Sequence, residues 1–179
     1  MKYAVHATEE AGLKLTKDKR LTDLCYADDV ALIGDSVDGL QAMMGSVACW
    51  SEKVGLSINV VKTKWMAVSN SGNGNGQMMM NCEQVESVEE FCYLGSILTN
   101  NVNCCKDVRT RIAKANVAFS RFNNIWRDRK LGLPIKIWLY TSIMNAILLY
   151  SAETWPLTKP ETQRPEASNH KWLRRILNV

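Results

Sequence analysis

The sequence predicts an α+β fold, strand-rich over the first hundred residues and all-helical beyond them. Three observations carry this. Short apolar runs such as LTDLC, VALIG and FCYLGSIL sit between polar stretches before residue 100, as strands do. Inside that region the segment from Val37 to Val54 changes to a spacing of three and four, the mark of an amphipathic helix. From about Asn103 onward helical spacing takes over.

Bulk properties agree. The 179 residues are 46% hydrophobic and 22% charged, which suits one domain or a small pair with a buried core and excludes wholesale disorder. The net charge of +4 is unevenly spread. Eight bases lie between Lys106 and Lys130, opposed only by Asp107 and Asp128, so that stretch carries +6 and the remainder −2. Such a segment fits a polyanion partner, and it equally fits a solvated helix face. Six cysteines lack any C-x-x-C spacing and only two histidines are present, so a zinc site is not expected. Reduced thiols inside apolar runs imply a reducing, intracellular setting. MKYAVHATEE has no signal-peptide core. Residues 137–152 are uncharged but short for a membrane span, and Thr141, Ser142 and Asn145 interrupt them. A buried helix is expected there, with no membrane partner.

Taken in order, residues 1–20 suit a helix and a turn. LTDLC and VALIG form strands around Asp28 and Asp29, and VALIG is apolar on both faces, like a central strand. A helix follows with Asp35 or Ser36 as N-cap and Gly55 near its stop. LSINVVKTKWMAVS is β-branched and suggests a strand or strand pair. SNSGNGNG, residues 69–76, is a loop. QMMM and FCYLGSIL are strand candidates, separated by the acidic NCEQVESVEE. Val108, Ile112, Ala115, Phe119, Phe122 and Trp126 then make one helical stripe, with Arg111, Lys114 and Arg121 on the next and Asp107 placed to pair with Arg111. Gly132 and Pro134 break the chain before an apolar helix at about 135–151. TKPETQRP looks like a linker, and HKWLRRILNV a last amphipathic helix.

Two adjacent aspartates at a hairpin tip repel each other where turn chemistry favours Asn-Gly. A divalent cation relieves that repulsion, and Mg²⁺ takes one or two carboxylates plus substrate phosphates. A solvated loop pair is the alternative for the dipeptide alone.

Tyr26-Ala27-Asp28-Asp29 between two strands resembles the Tyr-x-Asp-Asp motif of reverse transcriptases. GLSINVVKTKWM, residues 55–66, resembles the next polymerase motif, and FCYLGS, residues 91–96, the primer-grip hairpin. VRTRIAKANVAFSRFNNIW, residues 108–126, is similar to the thumb helix of non-long-terminal-repeat (LINE-type) retrotransposon polymerases. LLYSAETW and WLRRILNV resemble the segments after that thumb. The resemblance runs from about residue 20 onward, with six motifs in the family's order.

It implies a partial polymerase palm, antiparallel strands with a helix, over residues 1–100. A helical thumb over 101–158 and the start of a following region at 159–179 complete the division. The implied activity is RNA-directed DNA polymerase, a nucleotidyl transfer with two Mg²⁺ ions. Asp28 and Asp29 would hold metal, Tyr26 would sit by the primer end and Lys62 would protonate or neutralise the pyrophosphate, with a solvated strand lysine as its plainer role. Tyr93, Leu94 and Gly95 would form the primer grip, with core packing as the plainer role of Tyr93 and Leu94 and a permitted bend that of Gly95. Arg111, Lys114 and Arg121 would follow the backbone of an RNA template and DNA primer without reading sequence.

One departure matters. The family's palm has a third catalytic aspartate on an earlier strand, and before Tyr26 this sequence holds only Asp18 and Asp23. The fingers are also missing from it. Weak Mg²⁺ binding and no polymerisation by this chain alone are therefore expected, and the other polymerase half or another protein becomes a candidate partner. Three rival readings remain: a non-catalytic nucleic-acid-binding module, a protein-interaction module, and a cyclase-like palm. The last needs neither grip nor thumb.

Overall fold

The computed structural model describes residues 11–68 and 76–179 and has an α+β architecture. The chain divides into two compact units between Glu89 and Glu90. The expected loop at 69–76 lies, but for Gly76, outside the described residues, as does most of the expected first helix.

In the first unit residues 13–21 form a hairpin where a helix and turn were expected. Strand β1 (Leu13–Lys14) pairs with β2 (Arg20–Leu21), and Leu15 N and Thr16 N both donate to Lys19 O across the tip. Gly12 makes this possible. A Cβ there would stand 2.8 Å from Leu21 O, closer than any side chain tolerates. Strands β3 (Asp23–Tyr26) and β4 (Asp29–Leu32) pair antiparallel, as the sequence implies. The central-strand reading of VALIG is corrected, because among the described residues β4 pairs only with β3. Its Leu32 serves a helix instead, packing against the buried cluster of Met43 and Val47.

That helix is α1 (Val37–Lys53), capped by Ser36 Oγ accepting from Gly39 N at 3.2 Å and followed by Gly55 at φ 76. Its buried face is Met43, Met44 and Val47, while Trp50 and Val54 of the expected stripe are exposed. The stretch 56–63 is not a strand. Asn59 folds it into a turn, its side chain accepting from Lys62 N and its carbonyl from Lys62 N and Thr63 N. Local side-chain bonding of this kind outcompetes a ladder, and only β5 (Lys64–Trp65) remains of the expected strand.

The acidic segment between QMMM and FCYLGSIL holds the middle strand of a sheet. β7 (Glu83–Ser87) lies between β5, to which it runs parallel, and β6 (Met78–Met80), to which it is antiparallel. Only Val85 of β7 is apolar and buried, so alternation shows one apolar residue among polar ones and conceals the strand. Gln41 of α1 bonds both backbone groups of Met79, donating to its carbonyl and accepting from its N–H.

The second unit begins with the hairpin β8 (Glu90–Tyr93) and β9 (Ser96–Thr99), which packs with the helices that follow. Helix α2 (Cys105–Arg121) runs into the short α3 (Asn123–Arg127). The predicted stripe is the core: Ala115, Phe119 and Trp126 are buried, with Ile112 and Phe122 against them. The expected apolar helix is broken into α4 (Leu133–Leu139), a π-helix at Tyr140–Asn145 and α5 (Ala146–Leu148). The wider π turn takes up an extra residue. Lys136, Tyr140, Met144 and Leu148, each four apart, are all buried. Lys136 Nζ donates to Trp126 O at 2.8 Å. Burial pushes the Tyr140 phenol up to about 12. The opposite side is not buried: Ile135 and Trp138 are exposed. Among the described residues no helix is long and apolar enough to cross a membrane.

The expected linker TKPETQRP is helical. Helix α6 spans Lys159–Leu177 and puts Trp172 and Ile176 into the core. Its start is a capping box, Thr158-x-x-Glu161, with Thr158 N and Oγ1 both donating to Glu161 Oε2. Pro165 is buried inside the helix, so a residue that ends most helices is held by packing here. The Cys105 thiol, donating at 3.0 Å, and the Thr158 donors hold the Glu161 carboxyl down at about 2, against 4.5 ordinarily. A carboxyl lowered in the folded state stabilises it fully above its ordinary value and ceases to as pH falls through the folded one. Between about pH 4.5 and 2 the parent should therefore lose more denaturant resistance than Glu161→Gln does. Equal losses in the two proteins would show that the cap does not titrate with folding.

The cysteines are not core residues. Cys25, Cys49, Cys82 and Cys92 are exposed, Cys104 and Cys105 are partly buried, and all six are free.

Candidate functional site

The candidate residues fall on both units. Tyr26, Asp28, Asp29 and Lys62 belong to the first, and Tyr93, Leu94, Gly95, Arg111, Lys114 and Arg121 to the second.

In the first unit Tyr26 pairs directly with Asp29, leaving Ala27 and Asp28 as a two-residue turn. Ala27 sits at φ 53, a left-handed conformation that alanine rarely adopts. Asp28, Asp29 and Tyr26 are exposed, with Tyr26 at 64%. Strand alternation puts Asp29 and Tyr26 on one face and Asp23 and Leu32 on the other. Since Leu32 packs on α1, the Asp29 face is the open one. The base of the hairpin is held by Ile33 N donating to Thr22 O at 2.7 Å, and nearby Arg20 pairs with Asp35 at 3.2 Å.

Asp23 is no third member of the aspartate pair. Its carboxylate accepts from Thr22 Oγ1 and from Cys25 Sγ. Burial first, then Asp23, pushes the Cys25 thiol up. Among the described residues no three His, Cys, Asp or Glu side chains gather around a common point. Two exposed carboxylates fit a hard cation that takes its remaining ligands from water and phosphate oxygens. Lys62 is exposed in the Asn59 turn, and among the described residues no hydrogen bond or ion pair joins it to Asp28 or Asp29.

In the second unit Leu94 and Gly95 form the tip of the β8–β9 hairpin, at φ 47 and 84. Both central residues being left-handed, this is a type I′ turn. Glycine suits its place, and leucine does not. Both carbonyls of the turn are taken. Tyr150 Oη donates to Leu94 O at 2.9 Å, and Arg111 Nη2 donates to Gly95 O at 2.6 Å. The Arg111 guanidinium also stacks on the Tyr150 ring at 4.3 Å. Behind it lies Asp107, 2% exposed, which accepts from Ile97 N and Trp155 Nε1 and pairs with Arg111 Nε at 3.7 Å. The expected i,i+4 pair thus exists, but as a buried one.

The basic stripe divides accordingly. Arg111, Lys114 and Arg121 all border an open cleft of about 730 Å³ with Val117, Ile147 and Tyr150. Lys114 and Arg121 are exposed at its edge, whereas the Arg111 side chain is 7% exposed and committed to the hairpin. Sequence reasoning missed Tyr150 and Trp155 as partners of that hairpin. They lie more than fifty residues from it, and no local spacing links them.

No protein-family model matches the chain, and no solved structure matches it. It is similar to an uncharacterized transposon-derived protein of Caenorhabditis elegans, 26% identical over 163 residues. That match takes in 90% of this chain, which spans 58% of the length of the relative. The similarity favours a transposon-derived origin.

Proposed function

We propose that the chain is palm-and-thumb sequence of an RNA-directed DNA polymerase of the non-long-terminal-repeat retrotransposon type. The observation that carries this reading is the Tyr26–Asp29 hairpin, whose adjacent carboxylates stand exposed at a strained tip, with Asp29 on the face away from the helix. Backbone strain is kept where function demands it. The transposon-derived relative supports the same origin.

In this reading Asp28 and Asp29 hold Mg²⁺. When bound, such ions activate the primer 3′-hydroxyl and stabilise the departing pyrophosphate. Tyr26 borders the primer end, Lys62 neutralises phosphate charge, and Tyr93, Leu94 and Gly95 position the primer strand. Lys114 and Arg121 bind the template–primer backbone. A second reading, a nucleic-acid-binding remnant without catalysis, is favoured by the cleft that Lys114 and Arg121 border, which needs neither carboxylate.

Primer extension on poly(rA)–oligo(dT) with Mg²⁺, beside an Asp28→Asn, Asp29→Asn double variant, tests whether this chain catalyses by itself, and metal binding at the two aspartates separates the two readings. The 179-residue chain is expected to bind the duplex with an affinity that falls steeply with salt, and to extend no primer. Mn²⁺ should broaden the amide resonances of Asp28 and Asp29 in the parent and not in the double variant. Broadening unchanged by the substitutions would remove the metal role. Lys114→Ala and Arg121→Ala should each lower the salt slope by about 1. Failure to bind any duplex at physiological salt would sink both readings.

A further inference from the structure

Leucine at φ 47 in the Leu94–Gly95 turn is an unfavourable choice that its surroundings must impose. What imposes it is specific. Each turn carbonyl accepts from a different side chain, Tyr150 Oη on Leu94 O and Arg111 Nη2 on Gly95 O. Those two side chains are stacked on each other. Asp107 fixes Arg111 from behind and simultaneously holds the first residues of β9 through Ile97 N. Trp155 Nε1 occupies the other carboxylate oxygen, so Asp107 has little freedom to turn. The turn is gripped from one side, and Leu94 is left 38% exposed at the tip.

We propose that Arg111 and Tyr150, with Asp107 behind them, are positioning residues that hold the Leu94–Gly95 turn in its left-handed form for contact with the primer strand. The primer contact rests on the polymerase reading; the grip on the turn does not. Arg111 therefore acts through the hairpin and touches no phosphate, unlike Lys114 and Arg121 on the same helix. Lysine cannot replace it, because an ammonium does not reach Gly95 O while lying flat on the Tyr150 ring and facing Asp107.

Amide hydrogen exchange on the full chain tests the grip. Tyr150→Phe keeps the stacked ring and deletes one hydrogen bond. It should speed exchange at Ser96 and Ile97 about fivefold to tenfold, with the amides in the middle of α2 unchanged. Arg111→Lys should do the same or more. Leu94→Gly supplies the rescue, since glycine adopts the left-handed form unaided. The Leu94→Gly, Tyr150→Phe pair should exchange near the rate of Leu94→Gly alone. A purely structural bond gives no such rescue. Unchanged exchange in Tyr150→Phe, or an undiminished Tyr150→Phe effect in the Leu94→Gly background, overturns the positioning role. Duplex affinity, measured by fluorescence anisotropy on the same variants, tests the other half. It should fall about fivefold in Tyr150→Phe. Faster exchange with unchanged affinity keeps the grip and overturns the assignment of this hairpin to the primer.

Discussion

Phe119→Ala is expected to destabilise the second unit by about 3–5 kcal/mol, the range for removing a buried aromatic side chain. Phe119 is 2% exposed and lies between two tryptophans, stacked on Trp126 at 5.2 Å and on Trp172 at 6.0 Å. Its own carbonyl accepts from Trp126 Nε1, and Arg175 lies over its ring. One ring therefore joins α2, α3 and α6. Deleting it leaves a space the flanking indoles can only partly close. Urea unfolding followed by near-ultraviolet circular dichroism reads the loss. A cost below about 1 kcal/mol would mean that the helices are held elsewhere and that the stack is incidental.

The helical half was the more legible in sequence, and the reason is physical. The stripe from Val108 to Trp126 keeps one period over five turns, and large apolar residues on it meet large apolar partners. The hairpin carrying Asp28–Asp29 was also legible, because two apolar runs flank its short tip, whereas FCYLGSIL reads as a single strand and its Leu94–Gly95 turn is implied only by the resemblance to a primer grip. Strand β7 was not, since a central strand in so small a sheet needs to bury only Val85. The front half of α6 was masked by its prolines, although the capping box at Thr158 and Glu161 marks its start. Candidate site residues were legible as types and not as partners. Arg111 looks in sequence like Lys114 and Arg121, and only tertiary structure shows that a buried carboxylate and a hairpin carbonyl have claimed it.

Asp107→Ala is the second substitution expected to have a large effect, about 3–5 kcal/mol. The carboxylate is almost wholly buried and serves three groups: Ile97 N, Trp155 Nε1 and the Arg111 guanidinium. Alanine removes the only negative charge paired with Arg111 among the described residues and strands two further donors. Among the described residues Arg111 Nε has no hydrogen-bond partner even in the intact protein. The cost comes chiefly from the cation left behind, which distinguishes this from loss of packing. Adding Arg111→Met to Asp107→Ala should therefore recover part of it, leaving the double variant less destabilised than the sum of the singles. Because the pair is out of solvent, raising salt from 0.05 to 0.5 M should leave the difference between parent and Asp107→Ala nearly unchanged. Strict additivity of the two substitutions, measured by urea unfolding, would show that Asp107 and Arg111 stabilise the unit independently. The hairpin grip would then rest on Tyr150 and Arg111 alone.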